Sequence, residues 1–282
     1  MSDMVYEKFS FSSPFLAGYK CMKIPIIDKN GNAAWPEVFP VSKIEEMRQT
    51  VGARHFSSQM MLEFVPAERV RLDPGALHMY GDEFDARGCR LGDALITGAC
   101  AYWDPSSGRR KSDGSVCVLV YRDDKTRRAF IHDVRYLIVA DGETHPLARQ
   151  CDMVVDFLIG HGMRRIAIET NGIGNALPEI MRDVASRRAV SISIMPISNS
   201  RNKEQRILDA IEPMLTTGRL YAHTRVATTP LFAEMMGWAP VGATGHDDGI
   251  DAVAGALSTM PVALRAASAA GMAYRANTNF NI

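Results

Sequence analysis

One change of rhythm constrains the fold of this 282-residue chain more than any other feature. Three apolar runs come first, separated by short polar connections: "ALITGACAYW" from Ala94, "SVCVLVY" from Ser115 and "RRAFIHDVRYLIV" from Arg127. Runs of this length, rich in β-branched and aromatic residues, read as strands, and short connections between them make antiparallel hairpins. From His145 the pattern alternates. "HPLARQCDMVVDFLIGHG" sets Val154, Val155, Leu158 and Ile159 at helical spacing and ends on glycine. Strand "RRIAIE", helix "GNALPEIMRDVASRR", strand "VSISIMP" and helix "NKEQRILDAIEPMLTTG" follow, then a short strand "RLYAH", a helix near "TPLFAEMMGW" and the helix "GHDDGIDAVAGAL". Three antiparallel strands ahead of βα units predict one mixed α/β sheet with flanking helices.

That chain order is the order of a ribonuclease H-like sheet, expected here over residues 93–262. Residues 1–92 are irregular and rich in aromatics and prolines, with short helical stretches such as "SKIEEMRQTVG" and "RHFSSQMMLEF", and read as a linker or appendage. Residues 263–282 have no stable pattern and read as a mobile tail.

Composition excludes several classes. At 46% hydrophobic the chain has enough apolar side chains for a full core. Lysine plus arginine equals aspartate plus glutamate at 32 each, so no global field draws in nucleic acid and a polyanion must be met by a local patch. Candidate patches include "RRK" (Arg109, Arg110, Lys111) and the segment "RNKEQR" that holds Lys203 and Arg206. The five cysteines are odd in number, scattered and without a C-x-x-C pair, which argues against a disulfide framework or a zinc site and for a reducing compartment. No leader pattern and no run of eighteen apolar residues occurs, so a soluble intracellular chain is expected.

The last helix poses the chemical question. "HDDGID" puts Asp247, Asp248 and Asp251 within five residues, ahead of small apolar side chains. One reading makes Asp248 an N-cap with Asp251 in the capping-box position. The other makes the aspartates a metal site, because residues three and four apart on a helix face one point. In the expected layout Asp104 ends the first strand and Glu169 ends the strand after the first helix. Neighbouring strand ends are about 4.8 Å apart, so both acids meet the opening of the last helix. Carboxylates gathered there repel unless a cation neutralises them, and oxygen-only ligands select magnesium or manganese over zinc. Such a pair of ions does phosphodiester hydrolysis. Lys203 and Arg206 would contact phosphate or order the acids, and His246 would assist a metal or the leaving group.

At this point the sequence resembles the nuclease half of the large terminase subunit of tailed bacteriophages. The resemblance runs from about Ile96 to Met260, through "WDPSSGRRKSDGSVCVLVYR", "IAIETNGIG", "NKEQRILDAIEPMLTTGRL" and "HDDGIDAVAGAL". It implies an endonuclease that cuts concatemeric viral DNA during packaging, using two Mg2+ or Mn2+ ions. Asp104, Glu169 and Asp248 carry over as catalytic metal ligands, with Asp251 and Asp247 beside them and Asp113 as an accessory acid. Arg109, Arg110, Lys111, Lys203 and Arg206 carry over as DNA contacts. The implied partners are double-stranded DNA, the terminase ATPase domain or subunit, the small terminase subunit and the portal, in the host cytoplasm and without a membrane. No G-x-x-x-x-G-K-[ST] occurs, so the motor half is not in this sequence. Two alternatives remain: a resolvase-like nuclease of the same fold acting on branched DNA, and a non-catalytic packaging or docking module.

Overall fold

A computed structural model describes residues 23–51, 56–62, 72–106, 114–240 and 246–264. Its centre is a mixed sheet. The three expected hairpin strands are β4 (Gly98–Asp104), β5 (Val116–Asp123) and β6 (Arg128–Tyr136), paired antiparallel in sequence order. After helix α2 (Pro146–Gly160) the chain adds β7 (Arg165–Glu169) parallel to β4, and after α3 (Leu177–Arg187) it adds β8 (Ser193–Ile197) parallel to β7. Helix α4 (Lys203–Thr216) then leads to β9 (Leu220–His223), parallel to β6. The spatial order β6-β5-β4-β7-β8 is the ribonuclease H-like arrangement, and the chain has that fold. Helices α5 (Leu231–Gly237) and α6 (Asp248–Ser258) close the chain order, followed by β10 (Val262–Ala263), which pairs with the start of β4.

The segment expected to be an appendage contributes to this sheet. It contains α1 (Val41–Val51), β1 (His78–Tyr80) and β2 (Arg90–Leu91), and β2 pairs with β3 (Ala94–Leu95) in a separate hairpin. Strand β1 pairs parallel with β9 at the edge of the main sheet. Three residues bounded by turn-forming neighbours carry no periodicity, so tertiary pairing alone makes them a strand. The run "ALITGACAYW" likewise splits into β3 and β4.

Alternation along β4 assigns the two faces. Ala99, Ala101 and Trp103 pack with Cys151, Val154 and Leu158 of α2 and Met181 of α3. Cys100 and Tyr102 face the other core, made by Ile207 and Ile211 of α4, Met235 of α5 and Ile250, Val253 and Leu257 of α6. Both faces are covered, which is why the strands read as continuous apolar runs. Every residue from Asp248 to Leu257 is buried. The small side chains of α6 let it lie against the sheet: a Cβ on Gly255 would stand 2.4 Å from the Tyr102 ring.

Four cysteines (Cys89, Cys100, Cys117 and Cys151) are free and buried, and Cys21 lies outside the described residues. Among the described residues no helix is long and apolar enough to cross a membrane.

Candidate active site

Strand parity builds the site. Trp103 pairs with Ile168, so Asp104 and Glu169 are next in register on adjacent parallel strands, and both fall on the face of Tyr102 and Ala167. That is the face covered by α4 and α6. Helix α6 brings Asp248 and Asp251 in its first turn, and α4 brings Lys203 and Arg206 in its own. Two cations in the first turn of a helix oppose its dipole, so their placement is explained by the carboxylates they face.

The contacts are short. Arg206, 9% exposed, donates from Nε to Asp251 Oδ1 at 3.1 Å, and its Nη1 lies 3.6 Å from Glu169 Oε2. Lys203 Nζ donates to Asp247 Oδ1 at 2.7 Å and stands 3.5 Å from Asp251 Oδ2. Glu169 is held on both oxygens. Tyr102 Oη and Asn199 Nδ2 donate to Oε2 at 2.7 and 2.9 Å, and Asn171 Nδ2 donates to Oε1 at 3.1 Å. Asp248 Oδ2 accepts from the Gly114 amide at 2.6 Å, and His246 Nδ1, on a mostly exposed ring, is 3.7 Å from that oxygen.

Asp104 is different. It has no hydrogen-bond donor among the described residues, although Lys203 and Arg206 lie near enough to act on its charge. Burial, then the charges of Asp251 and Glu169, push its carboxyl well above the ordinary carboxylate range, and the two cations offset this only in part. Burial also raises Asp251, against the pull of Arg206 and Lys203. Lys203 is shifted upward: burial disfavours its charge, but the Asp247 hydrogen bond and the charges of Asp251, Asp247 and Asp248 outweigh burial. The cluster is thus short of positive charge at Asp104. An all-oxygen donor set with unrelieved repulsion fits a hard divalent cation. Among the described residues no three of His, Cys, Asp and Glu are preassembled around one point. Here the side chains of Lys203 and Arg206 stand between the acids.

The capping explanation of "HDDGID" does not hold. The residue at the N-cap is Asp247, whose side chain makes no capping bond, and Asp248 is the first helical residue. The side chain that accepts from the helix start is Glu234, on α5, taking the amides of Gly249 at 2.8 Å and Ile250 at 3.2 Å. Its other oxygen accepts from Tyr136 Oη at 2.8 Å.

Asp104, Glu169, Asp247, Asp248, Asp251, Lys203, Arg206 and His246 therefore all lie at one end of one sheet face. Asp113, Arg109, Arg110 and Lys111 lie outside the described residues. Sequence reasoning missed Tyr102, Asn171, Asn199, Tyr136, Glu234 and the Gly114 amide. Glu234 carried a usable signal, an acid inside the apolar stretch "LFAEMM", where an unpartnered charge is costly.

Comparison with known proteins places this arrangement. Residues 104–220 match the profile of the family described as the ribonuclease H-like domain of the bacteriophage T7 terminase. Over that segment the chain is similar to a terminase ribonuclease H-like domain. The segment begins at Asp104 and takes in Glu169, Lys203 and Arg206; the aspartates of α6 follow it in the chain. No curated protein matches the chain. Solved structures similar to it include the nuclease domain of the P22 large terminase, at 11% identity and a TM-score of 0.46, with 67% of this chain and 91% of that chain covered. The Mn-soaked, inhibitor-bound terminase nuclease domain of human cytomegalovirus aligns at 16% identity and 0.42, covering 56% of this chain and 80% of that one. T. thermophilus RuvC in complex with a Holliday junction substrate aligns at 13% and 0.35, covering 56% and 90%.

Proposed function

We propose that the chain is a divalent-metal-dependent endonuclease that hydrolyses phosphodiester bonds of double-stranded DNA, cutting concatemeric viral DNA during genome packaging. Its partners on this reading are the terminase ATPase domain or subunit, the small terminase subunit and the portal, in the host cytoplasm. The observation that carries the reading is Asp104: a carboxylate without a hydrogen-bond donor among the described residues, raised by burial and then by the charges of Asp251 and Glu169, at the start of the segment that matches the terminase profile.

Asp104, Glu169, Asp248 and Asp251 would hold two Mg2+ or Mn2+ ions, with Asp247 alongside. Bound there, the ions would supply an activated water and charge stabilisation for the departing 3′ oxygen. The chain's own residues do the rest. Tyr102, Asn171 and Asn199 fix both oxygens of Glu169, so this side chain pays little ordering entropy on binding. Arg206 ties Asp251 to Glu169, and Lys203 ties Asp247 to Asp251, holding the helix acids against the strand acids. His246, exposed beside Asp248, would assist a metal or give its ring proton to the leaving oxygen. With no recognition helix or base-reading motif in the sequence, contacts fall on phosphates and weaken steeply with salt.

The test is cleavage of supercoiled plasmid at low salt with Mg2+ or Mn2+, with and without EDTA, beside linear and branched substrates. Nicking or linearisation that EDTA abolishes and that Asp104→Asn loses is the expected result. A folded protein that leaves plasmid intact under every divalent metal refutes the reading, and a strong preference for branched DNA transfers it to a resolvase.

A further inference from the structure

The acidic helix raises a physical problem. Its first amides need acceptors, and its own aspartates are the nearest candidates. Yet Asp247 is engaged by Lys203, Asp248 by the Gly114 amide and Asp251 by Arg206. Gly249 and Ile250 are buried, so their amides would be left unsatisfied at a real cost unless another element supplied oxygen.

Glu234 supplies it. The carboxylate is 8% exposed, on α5, and one oxygen accepts both amides while the other accepts the Tyr136 hydroxyl. Tyr136 is the last residue of β6, so the helix start is tied through Glu234 to the sheet. An anion at a helix N-terminus is also where the dipole favours it. The sequence is fitted to the same contact. A Cβ on Gly249 would stand 2.0 Å from Tyr136 Oη and 2.8 Å from Glu234 Oε2. Only glycine admits the tyrosine and the carboxylate at that distance, which accounts for the glycine inside "HDDGID".

We propose that Glu234 and Tyr136 are positioning residues for the metal site, a clamp on the first turn of α6 that fixes where the carboxylates of Asp248 and Asp251 point. Asp248 immediately precedes the clamped amides and Asp251 immediately follows them. Successive residues of a helix are about 100° apart around its axis, so a slip of one residue would carry both acids off the site. Capping by a side chain from another helix means that the aspartates of α6 do not cap it themselves and instead meet Lys203, Arg206 and the Gly114 amide. The proposal rests on the metal-dependent nuclease reading above.

The experiment uses the full chain with Glu234→Ala, Glu234→Gln and Tyr136→Phe. It measures the Mn2+ concentration giving half-maximal plasmid nicking, the KM for DNA, the calorimetric affinity for Mn2+ and the melting temperature without metal. Glu234→Ala is expected to raise the half-activating Mn2+ concentration about tenfold or more, the range found when a residue that orients a metal ligand is lost, with the KM for DNA unchanged. Glu234→Gln keeps a carbonyl oxygen for the two amides and restores most of the parental value. A Glu234→Ala protein that melts earlier but keeps the parental Mn2+ dependence overturns the proposal, since the contact would then be packing alone. So does a Glu234→Gln protein as impaired as Glu234→Ala. If Glu234→Ala does not fold, Tyr136→Phe decides: a raised Mn2+ requirement supports the clamp and a parental one overturns it. If the parent itself neither cuts DNA nor binds Mn2+, the nuclease reading falls and takes the metal-positioning role with it, leaving the clamp on the helix start to be judged separately. Amide exchange at Gly249 and Ile250 then judges the clamp, with protection lost in Glu234→Gln or Tyr136→Phe supporting it and protection kept in both overturning it.

Discussion

Acidification should weaken this protein through a buried histidine that takes no part in its acid cluster. His132 of β6 is 1% exposed and sits in a nest of aromatic and titratable groups. Its ring centroid lies 5.5 Å from that of His161 and 5.1 Å from that of His223, and its Nδ1 is 3.0 Å from Tyr80 Oη. Tyr121, Asp133, Glu83 and Arg225 complete the surroundings, with Arg225 paired to Glu83 and Asp133 bonded to His161 at 2.8 Å. Burial, then His161, Arg225 and His223, pushes the His132 pKa down from 6.5 to about 3, with Asp133 opposing. His223 is lowered in the same direction, by burial and Arg225. A histidine lowered in the folded state takes up its proton more readily when unfolded. Its contribution is therefore complete above about pH 6.5 and is lost as pH falls below that value. Integrating a single such group from pH 7.5 to pH 5 gives a loss of about 2 kcal/mol, and His223 adds to it. Ordinary carboxylates titrate below pH 5, and the raised ones of the acid cluster are common to both proteins compared. Urea unfolding at pH 7.5, 6.5, 5.5 and 5.0 checks this, comparing the parent with His132→Gln. As pH falls, the parent should lose stability relative to the variant, with a difference in slope of about one proton by pH 5, whatever the absolute stability of either. A variant slope equal to the parental one refutes the account; the raised carboxyls of Asp104, Asp251 and Glu234, which take up protons more readily in the folded state and so oppose the loss, are present in both proteins and cancel in the comparison.

Two further outcomes concern the acid cluster. Asp248→Asn should fold with an unchanged or higher melting temperature without metal, because Glu234 caps the helix and one repelling charge is gone, while DNA cleavage falls by orders of magnitude; parental cleavage by the folded variant would remove Asp248 from the site. Arg206→Ala leaves Asp251 and Glu169 without their buried cation, a loss on the order of 3–5 kcal/mol that urea unfolding without metal measures. Added Mn2+ should then raise its melting temperature by more than it raises the parent's, and an equal or smaller shift would argue that the arginine and the metal act at separate places.

Much of this protein was legible in its sequence, for one reason. The order of strands and helices is a local property: periods of 2.0 and 3.6 are written in neighbouring residues. So β4, β5, β6, the four βα-region helices and α6 fall where the apolar patterns put them. The positions of the two strand acids were legible for the same reason. Asp104 and Glu169 end apolar runs, and a strand end is where a fold of this order gathers its site.

What the sequence left open are the pairings between distant segments. Strand β1 has no pattern of its own and exists because β9 offers it an edge. The two readings of "HDDGID", cap or cluster, use the same residues at the same spacing, and local chemistry allows both. Only packing decides between them. With Glu234 and Tyr136 brought from fifteen and more than a hundred residues away to meet the first amides of α6, the aspartates have no capping to do and turn toward Lys203, Arg206 and the Gly114 amide. Hydrogen bonds to a helix end go to whichever acceptor the tertiary structure places there, and no periodicity in the chain records which one that is.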